Sequence, residues 1–141
     1  MGTILVVDDD PIVRELFRRL LPRAGYSAVI ATNGMDALAA LETHTPDLVL
    51  LDLAMPKMDG LTFLQVLRQD PDCKHVPVIL ISALASRETV KFAGCLGVRD
   101  YFVKSEFSME SLWARIGQYV PPEGKPAATP VPQSSDTPVA V

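Results

Sequence analysis

An unbroken apolar run, Leu48-Val49-Leu50-Leu51, stops abruptly at Asp52, and Pro56 and Asp59-Gly60 follow within a few residues. The run shows no alternation of polar with apolar residues, which is the pattern of a strand covered on both faces in a parallel sheet. Proline and Asp-Gly supply the turn chemistry that ends it. Asp52 is therefore expected at the carboxyl end of a central strand, where open α/β sheets hold their ligands.

The same device recurs along the chain. Thr3 to Val7 is a short β-branched run that ends in Asp8-Asp9-Asp10, Val76 to Ile81 delivers Ser82, and Tyr101 to Val103 ends in Lys104. Tyr26 to Ala31 reads as a further strand. Helical patterns separate these runs. Asp10 caps the first helix and Pro11 opens it. Ile12, Val13, Leu16, Phe17, Leu20 and Leu21 then make its apolar stripe, with Arg14, Glu15, Arg18 and Arg19 on the other face. That helix is expected to end or kink at Pro22, before Gly25. Asn33 caps a second helix over about Gly34 to Glu42. A third, about Leu61 to Gln69, presents Leu61, Leu64, Val66 and Leu67 inward and is stopped by Asp70-Pro71-Asp72. A fourth spans about Ser86 to Leu96 and carries Gly94, which costs about 1 kcal/mol relative to alanine in a helix. Ser108 caps the last, built on Leu112, Trp113, Ile116 and Tyr119. Strands alternating with helices imply parallel βαβ units with right-handed crossovers.

The 141 residues suffice for one domain with a real core. A formal net charge of −4 and the absence of any Lys/Arg run argue against nucleic-acid binding by this segment. No apolar segment approaches the length that crosses a bilayer, so no membrane insertion is expected. Cys73 and Cys95 lack metal-ligand spacing and the N-terminus has no signal-peptide pattern, which makes a cytoplasmic protein with free thiols the expectation. His44 and His75 read as surface histidines, and Trp113 as a packing residue. From Pro121 to Val141 the composition turns to Pro, Ala, Ser, Thr and Val without periodicity. Such a segment cannot bury enough apolar surface to offset its ordering entropy. The expected division is a folded domain over residues 1–120 and a disordered tail or linker over 121–141.

Topology alone brings Asp8, Asp9, Asp52, Ser82 and Lys104 to one edge of the sheet. Carboxylates crowded into one pocket repel, and a proton or a hard divalent cation relieves the repulsion. Mg²⁺ suits such a site because it takes one or two carboxylates and keeps waters that phosphate oxygens can replace. A neighbouring lysine holds phosphate as a point charge, and a hydroxyl hydrogen-bonds a further oxygen. The chemistry implied is phosphoryl transfer onto a carboxylate.

The motifs Val6-Val7-Asp8-Asp9-Asp10, Leu51-Asp52-Leu-Ala-Met-Pro56, Met58-Asp59-Gly60, Val78-Ile-Leu-Ile-Ser82-Ala83 and Asp100-Tyr101-Phe-Val-Lys104 stand in order. With them the chain resembles, over about residues 3 to 120, the receiver domains of two-component response regulators, including the single-domain chemotaxis type. The resemblance implies a flavodoxin-like, doubly wound parallel sheet of five strands in the order 2-1-3-4-5 with five helices. It implies that Asp52 is the phosphoacceptor and that Asp9, Asp52 and the backbone carbonyl of Ala54 bind Mg²⁺, with Asp8 acting through water. It further implies that Lys104 is the phosphate partner, Ser82 the switch hydroxyl and Tyr101 the aromatic that changes rotamer on activation. A proline usually follows the lysine and makes a cis peptide, whereas here Ser105 follows, and a non-proline cis bond costs about 3 kcal/mol. Ala54 and Leu84 are both apolar at positions where relatives control the access of water to the acyl phosphate.

The function implied is a signalling domain, not an enzyme in its own right, that is phosphorylated by a sensor histidine kinase or a phosphotransfer protein. It would pass the signal through the fourth helix, fifth strand and fifth helix to an output protein or to a missing C-terminal domain, and the same face can pair two copies. A phosphorylation-independent scaffold is the alternative. An Mg²⁺-dependent aspartyl phosphohydrolase would need an acid two residues after its nucleophile, where Ala54 stands.

Overall fold

Four successive buried residues, Leu48–Leu51, form the middle strand of the sheet and separate two hydrophobic cores. The computed structural model describes residues 2–53, 60–82, 87–98, 100–104 and 108–121, apart from the side chains of Arg87 and Thr89. The elements in chain order are β1 (Gly2–Val7), α1 (Pro11–Arg23), β2 (Tyr26–Ala31), α2 (Gly34–Leu41), β3 (Leu48–Leu51), α3 (Gly60–Gln69), β4 (Val78–Ser82), α4 (Arg87–Cys95), β5 (Asp100–Val103) and α5 (Met109–Tyr119). All strand pairs are parallel, in the order β2-β1-β3-β4-β5. This is the doubly wound, flavodoxin-like order expected from the sequence.

Successive side chains of a strand point to opposite faces, so each central strand feeds both cores. Ile4, Val6, Leu48, Leu50, Ile79 and Ile81 pack with Phe17 and Leu21 of α1 and Leu112 and Ile116 of α5. Leu5, Val7, Val49, Leu51, Val78 and Leu80 pack with Ala37 of α2, Phe63, Leu64 and Leu67 of α3, and Ala93 of α4. Truncating one of these large fully buried side chains, such as Phe63, to alanine costs about 3–5 kcal/mol.

The helix starts follow the local chemistry. Asp10 accepts from the Ile12 N–H and Pro11 occupies the first turn. Asn33 accepts from Asp36 N–H, and Ser108 from Ser111 N–H. Some expectations need correction. Helix α1 runs through Pro22 to Arg23, because losing one backbone bond in the last turn does not stop a helix whose Leu21 is fully buried. Ile12 and Leu16, placed in its apolar stripe, are exposed at 77% and 40%, since α1 meets the sheet mainly through Phe17 and Leu21. In α3 the start at Gly60 sets the phase so that Phe63, Leu64 and Leu67 face inward, and Val66 is exposed. Strand β4 begins at Val78 because Pro77 has no N–H to donate to the ladder. The Cys73 and Cys95 thiols are free, the first buried and the second exposed, and both histidines are exposed. Among the described residues no helix is long and apolar enough to cross a membrane.

Candidate functional site

Three strands end at one edge and carry their next residues into one pocket. The Asp8 N–H continues the ladder to the Ala31 carbonyl at 3.1 Å, and the Asp52 N–H to the Val7 carbonyl at 2.9 Å. The Lys104 N–H donates to the Ser82 carbonyl at 2.9 Å. Each side chain is thus set by a backbone bond to a neighbouring strand. Asp8 and Asp52 are buried above an apolar floor of Val6, Val13, Phe17, Leu50 and Ile81. Asp9 is exposed.

One carboxylate oxygen from each of Asp8, Asp9 and Asp52 lies within 4.8 Å of the others. The Lys104 ammonium bridges two of the three: Nζ is 3.0 Å and 2.9 Å from the two Asp8 oxygens and 3.2 Å from Asp52 Oδ2. Asp8 also accepts from the Asp10 N–H at 2.8 Å. Burial pushes the Asp8 carboxyl above its ordinary range, against the Asp10 and Lys104 hydrogen bonds that lower it and with the Asp52 charge that raises it further. Burial alone would pull the Lys104 ammonium down, but Asp8 and Asp52 outweigh it and hold the lysine above its usual value. The Lys104 ammonium thus faces two buried carboxylates and a third at the rim. Such a donor set, all oxygen and net negative, fits a hard divalent cation.

Ser82 is fully buried at the end of β4, and its register partner is Val103 of β5. Tyr101 is half-buried, pairs with Leu80, and packs against the core on the α2, α3 and α4 side of the sheet. Ala54, Leu84 and Ser105 lie outside the described residues, so the expected carbonyl ligand, the apolar flank at Leu84 and the Lys104–Ser105 peptide are outside them too.

Two residues at this edge make contacts that the sequence pattern did not show. Arg14, placed on the solvent face of α1, is half-buried, and its Nη1 donates to the Asp8 carbonyl at 3.0 Å. The available signal was its position four residues after the cap Asp10, since helical side chains lean back toward the N-terminus. Gly60 sits directly against the Asp52 backbone, and its N–H donates to the Leu53 carbonyl at 2.9 Å.

A five-stranded 2-1-3-4-5 sheet with an acidic pocket and a lysine at its carboxyl edge defines a signalling class. Residues 4–117 match the response regulator receiver domain, and the chain belongs to that family. Among its relatives is the polar-differentiation response regulator DivK of Brucella anthropi, 33% identical over 96 residues that cover 66% of this chain and 78% of DivK. The response regulator MprA of Mycobacterium sp. strain KMS is 39% identical over 115 residues, 80% of this chain but 48% of MprA. The chain therefore spans about half the length of some relatives. The chemotaxis protein CheY4 of Vibrio cholerae has a TM-score of 0.78 at 28% identity, covering 85% of this chain and 99% of that one. The response regulator TrrA of Thermotoga maritima, solved in complex with Mg²⁺-BeF, has a TM-score of 0.73 at 32% identity over 85% of this chain and all of that one. Receiver domains are signalling domains of two-component systems and bind Mg²⁺ at an acidic cluster of this kind.

Proposed function

We propose that the chain is a cytoplasmic, phosphorylation-controlled receiver that takes a phosphoryl group on Asp52 from a histidine kinase or a phosphotransfer protein. The observation that carries this reading is the bridge from Lys104 Nζ to both Asp8 and Asp52 inside a cluster of three carboxylates. A carboxylate oxygen of Asp52 attacks the phosphorus, the bond from phosphorus to the donor breaks, and the donor leaves with its electron pair. Lys104 holds one of the phosphoryl oxygens, and the Ser82 hydroxyl hydrogen-bonds another. Asp9, Asp52 and the Ala54 carbonyl would hold Mg²⁺, with Asp8 acting through water. The bound metal would neutralise charge on the phosphoryl oxygens. The apolar floor beneath Asp8 and Asp52 keeps the charges strongly coupled by limiting solvent behind them.

The receiver unit spans residues 1–120, with 121–141 as its tail or linker, and the domain is not itself an enzyme beyond assisting its own phosphorylation and dephosphorylation. Helix α4, strand β5 and helix α5 form the output face, since Ser82 directly precedes the segment leading to α4 and Lys104 directly follows β5. That face meets an output protein or domain, or a second copy of the chain. Incubation with Mg²⁺ and acetyl phosphate tests the reading. Acid-stable, base-labile phosphate on Asp52 supports it, and its absence from the folded protein overturns it.

A further inference from the structure

Far from the acidic edge, one guanidinium holds three carbonyl groups from two segments. Arg68, in the last turn of α3, donates from Nε to the Leu96 carbonyl at 2.6 Å. From Nη1 it donates to the Val76 carbonyl at 2.6 Å and the Lys74 carbonyl at 3.2 Å. No carboxylate among the described residues pairs with it, so carbonyl dipoles stabilise the charge. The C-terminal dipoles of α3 and α4 add to that stabilisation.

The Leu96 carbonyl has a particular place. Helix α4 ends in a Schellman motif, with the Val98 N–H bonded to the Ala93 carbonyl at 3.1 Å and the Gly97 N–H to the Gly94 carbonyl at 3.1 Å. Gly97 takes the left-handed conformation this requires, with φ at 88°. The motif leaves the carbonyl of the capping residue Leu96 without a helical partner, and Arg68 supplies one. Of its described side chains Ala93 alone is buried, and Phe92 is 42% exposed. A cleft of about 450 Å³ opens beside Leu96, Gly97 and Tyr119, and the half-buried Leu96 and Val98 side chains pack against the core beside the clamp.

We propose that Arg68 is the fixed pivot of the phosphorylation response: it pins the C-terminal end of α4 to α3 and to the segment leading into β4, so that a rearrangement begun beside Ser82 tilts α4 about Leu96. The proposal rests on the functional reading above. Helix α4 has nine residues and is about 13 Å long at 1.5 Å per residue. A shift of about one ångström at Arg87 with Leu96 held becomes a tilt of about 4°. The tilt changes the surface around Lys91 and Phe92 while leaving the C-terminal end of the helix in place. Arg68 is a positioning residue in this scheme, remote from the reacting atoms.

The test compares wild type, Arg68→Met and Arg68→Lys by backbone amide shifts and hydrogen exchange, with and without Mg²⁺ and beryllofluoride. In wild type the mimic-induced changes should be largest near Arg87 and fade by Leu96 to Val98. In Arg68→Met they should extend through Leu96 to Val98 and into residues 74–76, with exchange there about tenfold faster before the mimic is added. Arg68→Lys, able to replace one bond, should lie between. A wild-type response as large at Val98 as at Arg87 overturns the pivot, as does an identical profile in a folded Arg68 variant. A wild-type domain with no response around Asp52 overturns the functional reading, and the pivot with it.

Discussion

A methyl group on Gly60 would lie 2.4 Å from the carbonyl oxygen of Asp52 and 2.7 Å from the Cα of Leu53. Both neighbours are backbone, so neither can rotate away. The first residue of α3 is seated against the peptide of the candidate phosphoacceptor, which is held from the other side by its bond to Val7. Gly60→Ala should therefore push the Asp52 loop outward and lower Mg²⁺ affinity at least tenfold, with stability reduced by about 1–3 kcal/mol as in other overpacked sites. Gly94→Ala and Gly117→Ala, whose added methyls meet nothing within 4 Å, should leave Mg²⁺ binding unchanged. Titration of the three variants with Mg²⁺, alongside their urea unfolding curves, checks this.

Lys104 is the counter-ion of two buried carboxylates. Its replacement in Lys104→Met should destabilise the metal-free domain by about 3 kcal/mol, because both buried carboxylates lose the ammonium bonded to them. The same change should tighten Mg²⁺ binding, since a competing positive charge is gone. Thermal unfolding with and without Mg²⁺ should show a larger metal-dependent rise in Tm for the variant than for wild type.

Tyr26 donates its hydroxyl to the Val120 carbonyl and fixes the last turn of α5 on the sheet. Burial pushes the phenol up to about 12 from its ordinary 10. An acid with a raised folded pKa binds its proton more tightly in the native state, so this contribution is fully present below pH 10 and is lost as pH rises through about 12. Stability should fall in that window by about 1.4 kcal/mol per pH unit more in wild type than in Tyr26→Phe. Urea titrations at pH 9 and pH 11 measure the difference, and at pH 9 the variant should be about 1 kcal/mol less stable for want of the hydrogen bond.

The order of elements and the meeting of Asp8, Asp9, Asp52 and Lys104 were legible in the sequence because each rests on local pattern: an unbroken apolar run, then a charged residue at its end. The caps at Asp10, Asn33 and Ser108 were legible for the same reason. What stayed hidden depends on phase and long-range approach. Phe63 and Val66 exchanged places because the inward face of α3 is fixed by where Gly60 docks. Ile12 and Leu16 are apolar at helical spacing, yet α1 buries a narrower stripe than its composition offers. Arg14 read as an ordinary surface cation and Arg68 drew no reading at all, because their acceptors are backbone carbonyls, which carry no mark in the sequence.

Asp52 as the phosphoacceptor is open to a direct test by phosphorylation of the protein. Wild type and Asp52→Asn are each incubated with acetyl phosphate and Mg²⁺, and intact mass is followed with time. Wild type should gain the mass of one phosphoryl group and lose it on treatment with base, while folded Asp52→Asn gains none. Phosphorylation of Asp52→Asn at the wild-type rate would rule out Asp52 as the acceptor.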